Sequence, residues 1–380
     1  MPKTMTSRER VLATLQHQEP DRVPTALWGS YYTLQDQTYF NLLKHLGIAD
    51  PVPPFRRLRG HNSNYYDDRV LDCLDTDIRY VWLGFTDLGG PQPATGVDAW
   101  GVGWKRIGLY MTPVEHPLSS ATVEDLERYP WPDVEKLIRV DELQARLQDL
   151  QKDGEHAIAA RAVNSYGPFE QAQAMRGREQ FLVDLLTEPE FAQALIRKVT
   201  QVIKRLTEIY LDIAGNAIDL MEIPGDDYGG TNSLLFSPRV FDRYLKPTLA
   251  EIVGLIKSYR SDIAVVFHSD GAIVPLLESF IEVGIDVVHP IEPLPANDHA
   301  VIKARFGDRL TFLGAIDIKT AMPGSVEDVE AEVKRRVRSL GRGGGYIIAP
   351  ANHLQHDVPP ENIVALYQAA RRYGRYPISI

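Results

Sequence analysis

The sequence contains only one cysteine, Cys73, among its 380 residues, so the chain has no internal disulfide. It also lacks an excess of positive charge, because 41 lysines and arginines stand against 51 aspartates and glutamates. A nucleic-acid-binding surface gathers basic side chains on one face, so the net charge of −10 argues against such a partner. No run approaches the roughly 18 apolar residues of a membrane span. The start, MPKTMTSRERVLATL, carries scattered charges instead of an apolar signal core. By exclusion, we expect a cytoplasmic protein without membrane or nucleic-acid partners.

The composition, 44% apolar and 24% charged, is that of a globular protein with a large core. The length exceeds the usual range for one compact domain, but α/β barrels often exceed that range through insertions. We therefore expect residues 1–380 to form a single domain.

Short apolar runs alternate with stretches long enough for a helix, which predicts parallel strands with crossover connections. The runs occupy residues 157–165, 217–227, 262–271, 285–293, 309–317 and 344–353. Two architectures have this pattern, a (β/α)₈ TIM barrel and a doubly wound open sheet. No glycine-rich dinucleotide fingerprint follows the first strand, which favours the barrel.

Four of the barrel strands are predicted at residues 262–268, 285–289, 310–315 and 345–349, and VPTALWG at residues 23–29 is predicted as a short buried strand. A first helix is predicted from Thr6 to Gln16, behind a Thr or Ser N-cap. Residues from the N-terminus to about 130 are expected to form an elaboration over the barrel mouth.

Polar side chains cluster where several of these runs end, and in a barrel those ends meet at one mouth. His268, Asp270, Asp226 and Asp227 are the candidate catalytic residues because imidazoles and paired carboxylates carry acid–base chemistry and bind metals. The alternatives are a structural histidine and turn-forming or capping aspartates. Glu222 lies within an apolar run, where a carboxylate must be paired or ligating.

Further polar and aromatic residues near the predicted mouth are candidates for substrate binding. Tyr32, Tyr65 and Tyr66 would extend an aromatic wall, although aromatic residues are also ordinary core and lid material. The substrate-binding candidates are Trp28, Tyr31, Asn164, His289, Asn352 and His353.

Four segments together resemble the uroporphyrinogen decarboxylase superfamily, and the resemblance spans nearly the whole chain. The sequence is more similar to the methyltransferase-like branch, whose members move methyl groups to or from a corrinoid protein, than to the decarboxylases proper. The segments are TSRERVLATLQHQEPDRVP (6–24), FSPRVFDRYLKPTL (236–249), VVFHSDGAIVPLLESFIEVGIDVVHPIEP (265–293) and YIIAPANHLQHDVPPENIVAL (346–366).

The sequence departs from the decarboxylases beside the first strand. The resemblance implies an arginine there that holds the substrate's carboxylates, whereas ALWGSYY (26–32) contains no basic residue. Arg56, Arg57 and Arg59 would have to replace it, although loop arginines are more often solvated. Arginine is the side chain suited to bidentate carboxylate binding, so a porphyrinogen substrate is disfavoured.

A second departure concerns the metal site implied by the resemblance, a His-x-Cys pair with a further cysteine near the last strand. His268, Asp270 and Asn352 stand at these positions, so a thiolate-rich zinc site is excluded. Nitrogen and oxygen ligands from His268, Asp270 and Glu222 would still bind Zn²⁺ or a harder divalent ion. Asp226, Asp227 and His353 are additional ligand candidates.

Three functions follow as hypotheses. The first is a methyltransferase-type enzyme that passes a methyl group from a small donor, such as a methyl ether or a methylamine-like compound, to a separate corrinoid protein. The second is a decarboxylase or related lyase acting on a small carboxylic acid or on a porphyrinogen, which would need a basic residue facing its substrate. The third is a non-catalytic binding protein on the same fold. Association into a homodimer is left open.

Overall fold

Strands and helices alternate along most of the chain. The computed structural model describes residues 5–29, 33–49, 63–64, 68–85, 95–108 and 110–380. The strands are β1 (Leu34–Gln35), β2 (Ser63–Asn64), β3 (Ile78–Val81), β4 (Gly84–Phe85), β5 (Thr95–Val97), β6 (Gly103–Ile107), β7 (Tyr110–Glu115), β8 (Ile138–Arg139), β9 (Ala157–Ala160), β10 (Leu220–Ile223), β11 (Ala264–His268), β12 (Val287–His289), β13 (Thr311–Ile316) and β14 (Tyr346–Pro350).

Helices cover the outside of the barrel and connect its strands. They are α1 (Ser7–Leu15), α2 (Asp36–Leu46), α3 (Asp68–Leu74), α4 (Val123–Arg128), α5 (Val134–Leu137), α6 (Asp141–Asp153), α7 (Pro168–Arg176), α8 (Arg178–Thr187), α9 (Pro189–Ala214), α10 (Pro238–Val240), α11 (Lys246–Tyr259), α12 (Leu277–Glu282), α13 (His299–Phe306), α14 (Val326–Arg336) and α15 (Pro360–Tyr373). Within the described ranges, no helix has both the length and the apolar composition needed to cross a bilayer.

The main sheet is parallel, with the strand order β14-β13-β12-β11-β10-β9-β3. Its strands are buried on both faces, as expected when helices surround a parallel sheet. The predicted strands at 262–268, 285–289, 310–315 and 345–349 correspond to β11 to β14, with bounds that differ by no more than two residues. The α/β barrel prediction is confirmed.

The segment from Val23 to Trp28 joins the two edges of this sheet. Ala26 N–H donates to the Ile348 carbonyl, while the Thr25 carbonyl accepts from Asp77 N–H beside β3. The segment therefore occupies the eighth position, but it makes a single bridge instead of a regular ladder. Pro24 has no N–H to donate, which limits the pairing.

The position of helix α1 differs from the expectation that the N-terminal residues lie over the barrel mouth. It begins with Thr6 as N-cap, as predicted, but it covers the end of the barrel opposite to the mouth. Ser7 donates to Asp77, which precedes β3, and Arg8 pairs with Asp219, which precedes β10. Both acids lie where strands begin, so α1 covers the N-terminal face.

The antiparallel sheet β5-β6-β7 does lie at the mouth. The ring of Tyr110 on β7 contacts the ring of His353, which follows β14, with a centroid separation of 5.9 Å. Trp104 on β6 stacks on Tyr166, which follows β9, at 5.8 Å. This small sheet therefore forms one wall of the mouth.

Candidate active site

Three side chains at adjacent strand ends form a compact titratable cluster. His268 is the last residue of β11, Asp270 lies two residues further, and Asp227 follows β10. His268 Nε2 lies 3.8 Å from Asp227 Oδ1 and 3.9 Å from Asp270 Oδ2. One ligand atom from each of the three residues lies within 4.8 Å of the other two. We call Asp227, His268 and Asp270 the mouth cluster.

Backbone and amide donors hold the two carboxylates of the mouth cluster. Asp270 N–H donates to Asp227 Oδ1 at 2.9 Å, and Asn352 Nδ2 donates to Asp270 Oδ2 at 2.6 Å. The buried oxygen Asp270 Oδ1 has no hydrogen-bond partner in the described part of the chain. One carboxylate oxygen is thus left for a proton, a cation or a substrate.

Glycines allow the loops after β10 and β11 to approach closely. Gly271 has φ +93°, and a Cβ there would lie 2.4 Å from the carbonyl carbon of Gly229. A Cβ on Gly225 would lie 2.8 Å from the His268 carbonyl oxygen. Larger residues would separate the loops, so these glycines place Asp227 beside Asp270.

The electrostatics of the mouth cluster favour a neutral histidine and a protonated or cation-bound carboxylate. Burial lowers the pKa of His268. Burial and the neighbouring Asp227 and Glu292 raise the pKa of Asp270 well above its ordinary value. The excess negative charge would be relieved by a proton or by a bound cation.

Glu170 is a member of this environment that the sequence analysis missed. It lies in the first turn of α7, and burial together with Asp227, Asp226 and Asp270 raises its pKa well above the ordinary value. The available signal was Gly-Pro-Phe-Glu directly after a predicted strand, a pattern typical of a helix start at a strand end.

Asp226 has a different position from Asp227. It is fully buried and accepts hydrogen bonds from the N–H groups of Phe169 and Glu170 at the start of α7, and from the Tyr228 hydroxyl. Burial raises its pKa to about 8. Of the two adjacent acids, Asp227 belongs to the mouth cluster, while Asp226 holds helix α7 in place.

Glu222, predicted as a metal ligand, lies apart from the mouth cluster. Its carboxylate accepts from Trp28 Nε1 at 3.3 Å and from Ala162 N–H at 3.2 Å, and it pairs with Arg161 at 3.3 Å. The structure therefore groups Asp227, and not Glu222, with His268 and Asp270.

The predicted aromatic wall is also altered. Trp28 is fully buried, with the Arg161 guanidinium 4.2 Å from its ring centroid, so it belongs to the barrel interior instead of the substrate-facing surface. Tyr31, Tyr32, Tyr65, Tyr66, Arg56, Arg57 and Arg59 lie outside the described residues.

His289 and Asn164 do not line the cavity beside the mouth cluster. His289 is fully buried, and its Nδ1 lies 2.8 Å from His268 Nδ1. Asn164 donates to the Tyr166 carbonyl and to Gln171 Oε1, and it lines a separate, mainly apolar cavity with Trp100. His289 thus supports His268 from inside the barrel.

Asn352 and His353, in contrast, line a cavity of about 200 Å³ next to the mouth cluster. Burial lowers the pKa of His353 to about 4, so this ring is neutral at physiological pH. The only cation on the wall formed by the described residues is Lys319, which pairs with Glu292 at 2.5 Å. The remaining polar residues of the wall are Asp270, Tyr110, Asp317 and Gln355.

Titratable groups lie on the loops at the carboxyl ends of the parallel strands, which is where TIM-barrel enzymes have their active sites. The chain belongs to the uroporphyrinogen decarboxylase (URO-D) family, whose model matches residues 97–373. Members of the superfamily are enzymes, both decarboxylases and methyltransferases.

Two relatives of known name are uroporphyrinogen decarboxylases. A uroporphyrinogen decarboxylase of Hamiltonella defensa subsp. Acyrthosiphon pisum (strain 5AT) is 23% identical over 277 residues, which cover 71% of this chain and 74% of that protein. A uroporphyrinogen decarboxylase of Coxiella burnetii (strain Dugway 5J108-111) is 26% identical over 196 residues, half of each chain.

Among solved structures, a methyltransferase from Methanosarcina mazei is similar over 97% of this chain and 99% of its own, with a TM-score of 0.66 and 18% identity. At this identity the likeness supports the fold alone. The predicted resemblance to the uroporphyrinogen decarboxylase superfamily is confirmed by the family model, and the fold is shared with this methyltransferase.

Proposed function

We propose that this protein transfers a methyl group from a small methylated donor, a methyl ether or a methylamine-like compound, to a separate corrinoid protein. The observation that carries the proposal is the mouth cluster, a nitrogen-and-carboxylate site next to a cavity of about 200 Å³. This volume is below the range of about 300–1,000 Å³ that is usual for drug-sized ligands, so a small donor fits better than a tetrapyrrole.

The residues of the mouth cluster fit a divalent cation. Asp227, His268 and Asp270 offer one imidazole nitrogen and two carboxylate oxygens, and the buried oxygen Asp270 Oδ1 has no other partner in the described ranges. Nitrogen and oxygen ligands suit Zn²⁺ or a harder ion. Such an ion, when bound, would act as a Lewis acid that polarises the heteroatom of the donor.

The chain's own residues would bind the donor and supply a proton. During transfer the bond between methyl and heteroatom breaks, the heteroatom keeps the electron pair and takes a proton, and the reduced corrinoid of the partner accepts the methyl group. Glu170, whose pKa is raised by burial and by nearby acids, is suited to hold that proton at neutral pH. Tyr110 and His353 would enclose the organic part of the donor.

Decarboxylation of a small carboxylic acid is the second candidate function. Lys319 on the cavity wall is the basic residue that this hypothesis requires. Its pairing with Glu292 weakens the case, because the pair neutralises the charge that would bind a carboxylate. The titratable mouth cluster argues against the third hypothesis, a non-catalytic binding protein.

Methyl transfer assays test the proposal directly. The purified protein, with its metal content measured by elemental analysis, is incubated with reduced corrinoid protein and either methyl ethers or methylamines. We expect methylation of the corrinoid, a large loss in Asp270→Asn and near-normal rates in Asp317→Asn. Asp317 is a matched control because it lines the same cavity outside the mouth cluster.

A complementary assay uses uroporphyrinogen, for which we expect no conversion. Among the described residues, the cavity wall has one lysine, which is already paired, so this part of the wall offers no set of cations for a substrate with many carboxylates. Appreciable formation of coproporphyrinogen would overturn the proposal. Release of CO₂ from a small acid, lost in Lys319→Gln, would favour the second candidate.

A further inference from the structure

His268 and His289 contact one another at the ends of neighbouring strands. They are register partners in the parallel pair β11 and β12, and their Nδ1 atoms lie 2.8 Å apart. The ring centroids are separated by 5.0 Å, with an angle of 32° between the planes. A nitrogen–nitrogen contact this short requires one proton between the two atoms, because two protons would collide and two lone pairs would repel.

The other nitrogen of His289 shows which ring supplies that proton. His289 Nε2 lies 3.3 Å from the carbonyl oxygen of Pro350, the last residue of β14. A carbonyl oxygen only accepts, so His289 Nε2 carries hydrogen. His289 is fully buried, where a second, charging proton is disfavoured by loss of solvation. Its Nδ1 is therefore bare and accepts from His268 Nδ1–H.

We propose that His289 is a positioning residue that fixes His268 as the Nδ1–H tautomer and leaves His268 Nε2 unprotonated within the mouth cluster. The distances from Nε2 to Asp227 and Asp270, 3.8 and 3.9 Å, agree with this assignment. Both exceed the length of a hydrogen bond, so neither carboxylate holds a proton on Nε2.

The surrounding glycines keep both rings in this arrangement. Gly314, with φ +103°, borders His289, and a Cβ there would lie 2.9 Å from His289 Cδ2 and 3.2 Å from Nε2. A Cβ on Gly225 would lie 2.9 Å from His268 Cβ and 3.1 Å from Cδ2. The two rings occupy space that a larger residue at either position would take. The series of hydrogen bonds from Pro350 through His289 to His268 therefore depends on both glycines.

The tautomer determines what His268 can do. A neutral imidazole binds a cation, or accepts a proton, only through its bare nitrogen, and the hydrogen bond of the other nitrogen sets which one is bare. The value of this tautomer for metal binding or acid–base chemistry rests on the proposed function. The tautomer itself is a property of the protein alone, so the two claims are tested separately.

Nitrogen-15 NMR of the full chain labelled at histidine tests the assignment. The couplings between ring nitrogens and carbon-bound protons distinguish the two tautomers, and the His268 signals are identified by their loss in His268→Gln. We expect hydrogen on Nδ1 of His268 and on Nε2 of His289 in the wild type. Hydrogen on Nε2 of His268 would overturn the proposal, whatever the variants do.

Variants then test the role of His289. In His289→Phe the acceptor is lost, so we expect His268 to shift towards the Nε2–H tautomer and Zn²⁺ affinity to fall by about 10–100-fold. In His289→Asn the amide oxygen can replace Nδ1, so both the tautomer and Zn²⁺ binding should be largely restored. An unchanged tautomer in His289→Phe would refute the positioning role.

His299→Phe is the matched control. His299 is also buried and its Nε2 also contacts a backbone carbonyl, that of Ile291, but it lies outside the mouth cluster. We expect it to affect stability and to leave the His268 spectrum and Zn²⁺ affinity unchanged. An equal loss of Zn²⁺ binding in His299→Phe would show that any buried histidine has this effect, which would refute the proposal. If the tautomers are as expected but no methyl transfer occurs, the proposed function fails and this inference stands.

Discussion

Replacing Asp270 with asparagine should remove the response of the protein to divalent cations. Asp227 and Asp270 present carboxylate oxygens within 4.8 Å of one another. Two unit charges at that separation repel by about 3.5 kcal/mol at an effective dielectric constant of about 20. The asparagine side chain keeps an oxygen that accepts from Asn352, but it has no charge, so the repulsion and the attraction for a cation are both lost.

The same replacement should weaken the pH dependence of stability. Since the pKa of Asp270 is raised in the folded state, the folded protein keeps a proton that the unfolded chain has already released. The stabilisation is complete below the unfolded pKa of about 3.9 and is lost as the pH rises towards the raised folded value. We therefore expect the stability of Asp270→Asn to decline less steeply than that of the wild type as the pH rises.

Thermal unfolding at about pH 6 and about pH 8.5, with Zn²⁺ or with a chelator, measures both effects. A cation at 100 times its Kd stabilises the folded state by about 2.7 kcal/mol. The gain should be larger at the higher pH, because fewer protons compete with the cation for the ligand atoms. Asp317→Asn should keep the wild-type response to Zn²⁺, because Asp317 lies outside the mouth cluster and its carboxylate caps the turn at Lys319. The reasoning is refuted if the wild type gains no stability, or if Asp270→Asn gains as much.

Three further changes test the surroundings of the site. His268→Ala removes the hydrogen-bond partner of buried His289, so we expect a loss of about 1–3 kcal/mol in urea unfolding, and no loss would contradict the contact. Asp226→Asn removes the carboxyl group whose pKa is about 8 in the folded protein, so the stability of the variant relative to the wild type should rise between about pH 4 and about pH 8 and then level off; a difference in unfolding free energy that stays constant over this range would contradict this. Gly314→Ala meets both a positive φ and the ring of His289, so calorimetry should show a loss of about 1–3 kcal/mol, and an unchanged melting temperature would argue against a confined ring.

The sequence predicts the barrel and the approximate strand positions because buried parallel strands have continuous apolar runs. It also predicts that residues after different strands meet, since the carboxyl ends of parallel strands share one edge. His268, Asp270 and Asn352 are brought together in this way, with Asn352 donating to Asp270. This expectation depends on the pattern of apolar residues and on the order of the strands along the chain, and both can be read from the sequence.

Side-chain direction could not be predicted, because it depends on partners far along the chain. Asp226 and Asp227 are adjacent and chemically equal, yet Asp226 is held by N–H groups 56 and 57 residues away at the start of α7. Glu222 is held by Trp28, 194 residues away. Nothing in the local sequence around these acids identifies such partners.

Asp227 also changes how the missing thiolates are interpreted. The position that the resemblance assigns to a second cysteine holds Asn352, whose amide nitrogen donates to Asp270 and therefore does not point a ligand atom at the cluster from that side. A third ligand atom comes instead from Asp227, whose approach requires the glycines between the loops after β10 and β11. The set of three donors is thus kept while its character changes from sulfur to oxygen. Carboxylates and a neutral imidazole suit a harder cation than thiolates do, and such a site would polarise an ether oxygen or an amine nitrogen in preference to activating a thiol. This is the physical reason why the proposed function is placed on the donor side of methyl transfer.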